Sequence, residues 1–294
     1  MFTGCGTALV TPFRQDLSLD ESTLRGLVRR QIAAGIDFLV PCGTTGESPT
    51  LSRAEHLRVV EITLEEAKGK VPVLAGAGGY NTHEVIELAR EVEALGADGI
   101  LSVTPYYNKP TQEGLYQHYR AIASAVRLPI VVYSVQGRTG VNVEPATLAR
   151  LAKIDNIVAV KEASGNIGQM ATVLNEVPTD FIVLSGDDAV TIPLAALGGR
   201  GLISVASNEI PAEMTAIAQA CLRNDFPAAR AIQAKFLPLM NINFVESNPI
   251  PVKAAMALMG LLEPVWRLPM VPPCQANLAK IEKVLSDVGL LVHQ

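Results

Sequence analysis

The sequence predicts an α/β protein: a closed (β/α)8 or TIM barrel over residues 1–224, followed by a helical appendage over residues 225–294. Three observations lead there. One phrase returns in varied form, as AAGIDFLV from Ala33, ALGADGILSV from Ala94 and ALGGRGLISV from Ala196, each time a helix end, a capping glycine and an apolar run. Apolar runs alternate with amphipathic stretches about eight times, which is the grammar of parallel βα units. From Asp225 onward the alternation stops and only helical periodicity remains.

Taken in chain order, GTALVTPF from Gly6 reads as the first strand, and AAGIDFLV as a helix end at Gly35 followed by the second strand. SRAEHLRVVEITLEEAKG is the next helix: Ser52 and Glu55 form a capping box, and apolar residues follow at helical spacing. VPVLAG supplies the third strand, NTHEVIELAREVEAL a helix, and Gly96 closes that helix ahead of the fourth strand, GILSV. TQEGLYQHYRAIASAV is helical again; PIVVYS, IVAVKE and FIVLSG are strands five to seven, and Gly198 precedes the eighth, GLISV. Runs this apolar suit strands buried on both faces, with an open doubly wound sheet as the alternative topology. Beyond Asp225, FPAARAIQAKFLPLM, NPIPVKAAMALMG and QANLAKIEKVLSDVG read as helices. A barrel closes without them, so their expected work is packing against it or against other subunits, or plain stability.

Composition narrows the function classes. The 294 residues are 49% hydrophobic and 18% charged, enough apolar material for a large core. A net charge of −5 with no basic run argues against nucleic acid or an anionic membrane as partner. Cys5, Cys42, Cys221 and Cys274 are far apart and form no CxxC pair, so a reduced, cytoplasmic setting is expected and neither a zinc cluster nor a dithiol motif is. The N-terminal MFTGCGTALVTPF has no positive leader, and no segment offers the roughly 20 apolar residues of a membrane helix.

The chemistry lies at the strand ends, which in such a barrel share one face. The second strand runs into GTTGES, the fourth into TPYYNKP, the fifth into YSVQGRTG, the sixth into KEASG and the seventh into SGDD. Lys161 ends the sixth strand after Val158 and Val160. Burial favours the neutral form of an amine, which attacks carbonyls to form a Schiff base; the alternative is a structural ion pair with Glu162 or a loop carboxylate. Tyr133, ending the adjacent strand, offers a phenol to move protons beside Lys161. GTTG, Gly43 to Gly46, is expected to open a helix whose N–H groups and hydroxyls suit a carboxylate. Arg138, between glycines, can fork onto a second carboxylate. Tyr106 and Tyr107 are unusual in a chain with only 6 tyrosines, and stacked aromatics at a subunit contact are compatible with function.

GTALVTPF, GTTGESPTL, TPYYNKPTQEGLYQHY, VKEASG and NPIPVKAAM, in this order and over nearly the whole chain, resemble the dihydrodipicolinate synthase and N-acetylneuraminate lyase superfamily. The arginine of GRTG and the paired tyrosines resemble its dihydrodipicolinate synthase branch. That resemblance implies a condensation of pyruvate with L-aspartate 4-semialdehyde on the way to diaminopimelate and lysine. Lys161 then carries the Schiff base, Tyr133 donates and accepts protons, and Thr44 links it to a Tyr107 supplied by the neighbouring subunit of a tight dimer. Thr45, Gly186 and Ile203 match positions lining the pyruvate site, and Arg138 the residue holding the semialdehyde carboxylate. No metal or organic cofactor is implied, and the assembly implied is a homotetramer, a dimer of dimers. Ser48, Pro49, Arg53, His56, Tyr80, Glu84 and Tyr106 match the place where L-lysine inhibits members of the family.

In this branch Asn-Val-Pro usually follows Tyr133, whereas here Ser134, Val135 and Gln136 do. Loss of the proline predicts a looser loop around Arg138. Serine at that position also occurs in hydroxy-oxo-acid aldolases of the superfamily, so a pyruvate-dependent aldolase or lyase acting on another aldehyde is the second reading. A non-catalytic pyruvate or lysine sensor is a third, opposed by Lys161, Tyr133, Thr44 and Tyr107. Metal-dependent aldol chemistry is weaker still, because the 4 histidines have no ligand spacing.

Overall fold

The computed structural model describes residues 2–291. Eight strands alternate with helices: β1 (Gly4–Ala8), α1 (Glu21–Ala33), β2 (Phe38–Val40), α2 (Arg53–Ala67), β3 (Leu74–Gly76), α3 (Thr82–Leu95), β4 (Gly99–Val103), α4 (Gln112–Ala125), β5 (Ile130–Ser134), α5 (Gln136–Thr139), α6 (Pro145–Leu151), β6 (Ile157–Glu162), α7 (Ile167–Glu176), β7 (Ile182–Ser185), α8 (Thr191–Ala196), β8 (Gly201–Ser204) and α9 (Pro211–Leu222). Three further helices follow, α10 (Phe226–Ile242), α11 (Ile250–Leu258) and α12 (Gln275–Asp287). All strand pairs are parallel, in the order β2-β1-β8-β7-β6-β5-β4-β3. A parallel bridge between Leu39 and Val73, with Leu39 N–H donating to Pro72 O at 2.9 Å, joins β2 to β3. The sheet is therefore a closed barrel, not the open alternative.

The expected helix stops are present. Gly35, Gly96 and Gly198 have φ of 83°, 90° and 115°, the left-handed geometry that ends a helix without a Cβ clash. Ser52 and Glu55 make the capping box of α2 in both directions. Alternation along the strands separates two cores. Ala8, Phe38, Leu74, Leu101, Val131, Tyr133, Ala159, Leu184 and Ile203 fill the barrel, whereas Val132, Val160 and Leu202 pack outward under the helices. Phe2 plugs the N-terminal end against Phe38, and a Cβ at Gly99 would lie 2.8 Å from its ring, so only glycine fits there.

The C-terminal helices contribute more than packing. Lys253 of α11 is fully buried and pairs with Glu47 at 2.5 Å, with its Nζ 4.5 Å above the Phe13 ring. Burial lowers the Lys253 pKa, opposed by the Glu47 carboxylate. The second Glu47 oxygen accepts from Arg267 N–H at 3.3 Å. Glu47 belongs to GTTGES, so the pair fastens the loop after β2 to the C-terminal part. Removing one partner strands the other charge in the interior, at a cost of about 3–5 kcal/mol. Denaturant unfolding of Lys253→Ala is expected to show a loss of that size, with much of it recovered in Lys253→Met/Glu47→Gln; a loss under about 1 kcal/mol for the single variant contradicts the assignment.

Candidate active site

The register of three strands builds the site. Tyr133 on β5 is level with Lys161 on β6, which is level with Leu184 on β7. Both functional side chains point into the barrel, at 6% and 5% exposure, and Lys161 Nζ lies 4.3 Å from the Tyr133 ring centroid. Val160 faces the helices instead, so the water-excluding neighbour of the amine is the tyrosine ring rather than the expected valine. Nor does Lys161 form an ion pair among the described residues: Glu162 faces the opposite way, accepting from Ser164 N–H at 3.3 Å and Gln169 Nε2 at 2.9 Å. The structural ion-pair reading of Lys161 therefore fails.

A cavity of about 130 Å³ gathers Lys161, Tyr133, Thr44, Thr45, Arg138 and Gly186, with Asp187, Val205, Phe244 and Asn248 completing much of its wall. Ile203 is not among the lining residues; it is 1% exposed, in the same inner cluster as Tyr133. The GTTG segment does not open a helix as expected. Gly46, Glu47 and Ser48 N–H groups close turns onto Gly43 and Thr44 carbonyls, a single 3₁₀ turn spans Ser48–Thr50, and α2 starts only at Arg53. Those turns leave the N–H groups of Thr44 and Thr45 without a hydrogen-bond partner among the described residues. They are donors suited to a small carboxylate.

Arg138 lies on α5, and its Nη2 donates to Asn248 O at 3.1 Å. The loop has hydrogen bonds of its own despite the missing proline. Gly140 N–H reaches Gln136 O at 2.9 Å, and the Thr139 hydroxyl lies 3.2 Å from Val135 O and 3.0 Å from Val141 O. Ser134 is 2% exposed and lies outside the cavity wall, accepting from Val143 N–H at 3.2 Å. The departure from the usual loop sequence thus falls behind the cavity. Tyr107 is not brought in: it is 90% exposed, with a positive φ of 67°.

The seven residues matched to a lysine site divide into groups. Ser48 and His56 line a separate cavity of about 50 Å³ together with Thr44 and Tyr133. Tyr80 stacks edge-on against Tyr106 at 5.1 Å, and the Tyr106 phenol is pushed up by burial, then by the nearby Tyr80 and Glu84. Glu84 accepts from Asn81 at 2.9 Å. Arg53 pairs with Glu91 at 2.5 Å, and Pro49 sits in the 3₁₀ turn.

A model of the dihydrodipicolinate synthetase family matches residues 1–288. The chain belongs to this family. A 4-hydroxy-tetrahydrodipicolinate synthase from Koribacter versatilis is 58% identical over 289 residues, covering 98% of this chain and 96% of its own. Two solved dihydrodipicolinate synthases superpose closely. The chloride-inhibited enzyme from Acinetobacter baumannii, complexed with pyruvate, has a TM-score of 0.97 at 42% identity, covering 99% of this chain and 100% of its own. The enzyme from Cyanidioschyzon merolae, with lysine bound, has 0.95 at 39%, covering 99% of each.

Sequence reasoning missed the contribution of the C-terminal part to this dihydrodipicolinate synthetase family site. Asn248 and Phe244 lie between α10 and α11; Asn248 Nδ2 donates to Thr45 Oγ1 at 2.9 Å while its carbonyl holds Arg138. The available signal was Lys253 inside the apolar run IPVKAAMAL, because a lone lysine there needs a buried partner. His56 shows a further constraint. Its Nε2 bonds to Gly76 O at 2.8 Å, which fixes that nitrogen as the donor, and burial pulls its pKa below the ordinary 6.5. A base depressed in the folded state contributes stability above its unfolded pKa, and that stability is lost as the pH falls below it. An NMR titration is expected to find the His56 midpoint below 6.5; a midpoint at or above that value contradicts this environment.

Proposed function

We propose that the protein condenses pyruvate with L-aspartate 4-semialdehyde to 4-hydroxy-tetrahydrodipicolinate, the entry step to diaminopimelate and lysine. The observation that carries this reading is a lysine free of ion pairs among the described residues, held against a tyrosine in a small cavity that also contains an arginine. The neutral amine of Lys161 attacks the pyruvate ketone, and loss of water from the carbinolamine gives an imine. Loss of a methyl proton converts the imine to an enamine, whose carbon attacks the aldehyde; the amino group of the semialdehyde, as the free amine, then attacks the regenerated imine carbon and displaces the Lys161 amine, which closes the ring of the product. Tyr133 gives and takes the protons of these steps. The N–H groups of Thr44 and Thr45 receive the pyruvate carboxylate, with Gly186 leaving the space. Arg138 receives the carboxylate of the second substrate.

Thr44 passes protons between Tyr133 and a Tyr107 from a second copy of the chain, which accounts for a tyrosine left almost wholly in solvent. The protein works as a homotetramer built from such dimers, in the cytoplasm; no helix among the described residues is long and apolar enough to cross a membrane. The division at residue 224 is one of building blocks, since Asn248 and Lys253 serve the barrel site. L-lysine binds between dimer subunits at Ser48, Pro49, Arg53, His56, Tyr80, Glu84 and Tyr106. His56 Nδ1 is the ring's acceptor for an ammonium, and the Tyr80–Tyr106 pair covers its aliphatic stem.

Steady-state kinetics of Arg138→Ala test the substrate assignment. Truncating one partner of a charge pair costs about 2–5 kcal/mol, so kcat/KM for the semialdehyde is expected to fall by roughly 30-fold or more while pyruvate binding persists. Unchanged semialdehyde kinetics, or faster turnover of a sugar-acid aldehyde by the parent protein, overturn the assignment in favour of another aldolase activity.

A further inference from the structure

Three ionisable side chains line the 130 Å³ cavity beside Tyr133: Lys161, Arg138 and Asp187. Lys161 has an amine to react, and Arg138 a carboxylate to hold. Asp187 is the only acidic residue among the described lining residues; one carboxylate oxygen caps the turn that follows it, and no ion pair uses the other. None of the three forms an ion pair among the described residues. Arg138 is exposed and Asp187 half-buried, so a ligand that carries both a carboxylate and an ammonium gains a counter-charge for each on entering the cavity.

The placement of Asp187 is fixed. Its Oδ1 accepts from Ala189 N–H at 2.9 Å. Its carbonyl accepts from Ser185 Oγ at 2.7 Å and Thr191 Oγ1 at 3.3 Å, and its N–H donates to Ser185 Oγ at 3.2 Å. Oδ2 has no protein partner among the described residues. Strand order puts β6 between β5 and β7, so Arg138 and Asp187 follow the strands on either side of Lys161. The segment bearing Asp187 runs directly along the lysine: a Cβ at Gly186 would lie 3.1 Å from Lys161 Cε. A substrate whose aldehyde meets the lysine-bound carbon thus has a cationic wall on one flank and an anionic wall on the other.

Resting on the proposed condensation, we infer that Asp187 is a specificity-determining residue that binds the α-ammonium of the amino-acid aldehyde, while Arg138 binds its α-carboxylate. The pair recognises an amino-acid head by both charges. Aldehydes bearing a carboxylate but no amine satisfy Arg138 and leave Asp187 without a counter-charge.

The test uses Asp187→Asn, which keeps the oxygen that accepts from Ala189 N–H and removes the charge, with Asp187→Ser as a second variant that retains a capping oxygen. The readout is kcat/KM for L-aspartate 4-semialdehyde, set against the inhibition constant of succinic semialdehyde, which has the same aldehyde and carboxylate but no amine. Loss of a charge-assisted contact is expected to lower kcat/KM for the amino aldehyde by roughly tenfold or more, with the succinic semialdehyde constant moving far less. Borohydride trapping of pyruvate by each variant checks that the lysine pocket is intact. Equal weakening of both aldehydes, or unchanged kinetics in a variant that still traps pyruvate, overturns the role of Asp187 alone. A parent protein that traps pyruvate but does not turn over L-aspartate 4-semialdehyde overturns the condensation reading, and this role with it.

Discussion

The register of a parallel sheet leaves its residues little choice of direction. With Tyr133 opposite Lys161 and Lys161 opposite Leu184, the two-residue alternation of a strand sends these side chains into the barrel and their neighbours Val132, Val160 and Glu162 out of it. A slip of one residue in β6 would place Glu162 inside and bury the lysine under α7. Closure through Leu39 and Val73 removes the free edges at which such a slip could begin. The chemistry of the site thus depends on backbone pairing before any side-chain contact is made.

The mouth of the barrel depends on a second constraint, imposed across the chain. Glu47 has a left-handed φ of 53° and lies at the end of the turn that presents Thr44 and Thr45. Its ion pair with Lys253 and the hydrogen bond from Asn248 to Thr45 connect that turn to α11, while the Asn248 carbonyl connects the same segment to Arg138. The Thr45 side and the Arg138 side of the cavity are therefore held by one stretch of six residues, Asn248 to Lys253, outside the barrel. A closed barrel is complete without that stretch; this site is not.

Much of the fold was legible because its signals are local. Gly35, Gly96 and Gly198 end helices by their own conformational freedom, and each is followed at once by a strand, so repetition of the phrase gave away the repeat. Lys161 and Tyr133 stood out because a polar residue ending an apolar run has few structural reasons to be there, and Arg138 because it sits between glycines just beyond such a run. What escaped was non-local. Nothing near Asn248 in the sequence indicates that it reaches Thr45, 203 positions away. GTTG was misjudged as a helix start because the Gly43 and Thr44 carbonyls accept from the N–H groups of Gly46, Glu47 and Ser48 in tight turns, and the loop that lacks the proline has hydrogen bonds of its own at Thr139 and Gly140. A place for Tyr107 in another subunit's site is implied only by family resemblance; within one chain it is an exposed ring.

Covalent trapping is the most direct measurement of the central claim, that Lys161 is the reacting amine. Protein incubated with pyruvate and borohydride, then digested and mapped by mass spectrometry, should carry the reduced adduct on Lys161 alone, and Lys161→Ala should carry none, because only an imine is reduced onto the protein. An adduct on another lysine, or no adduct in the parent protein, contradicts the account.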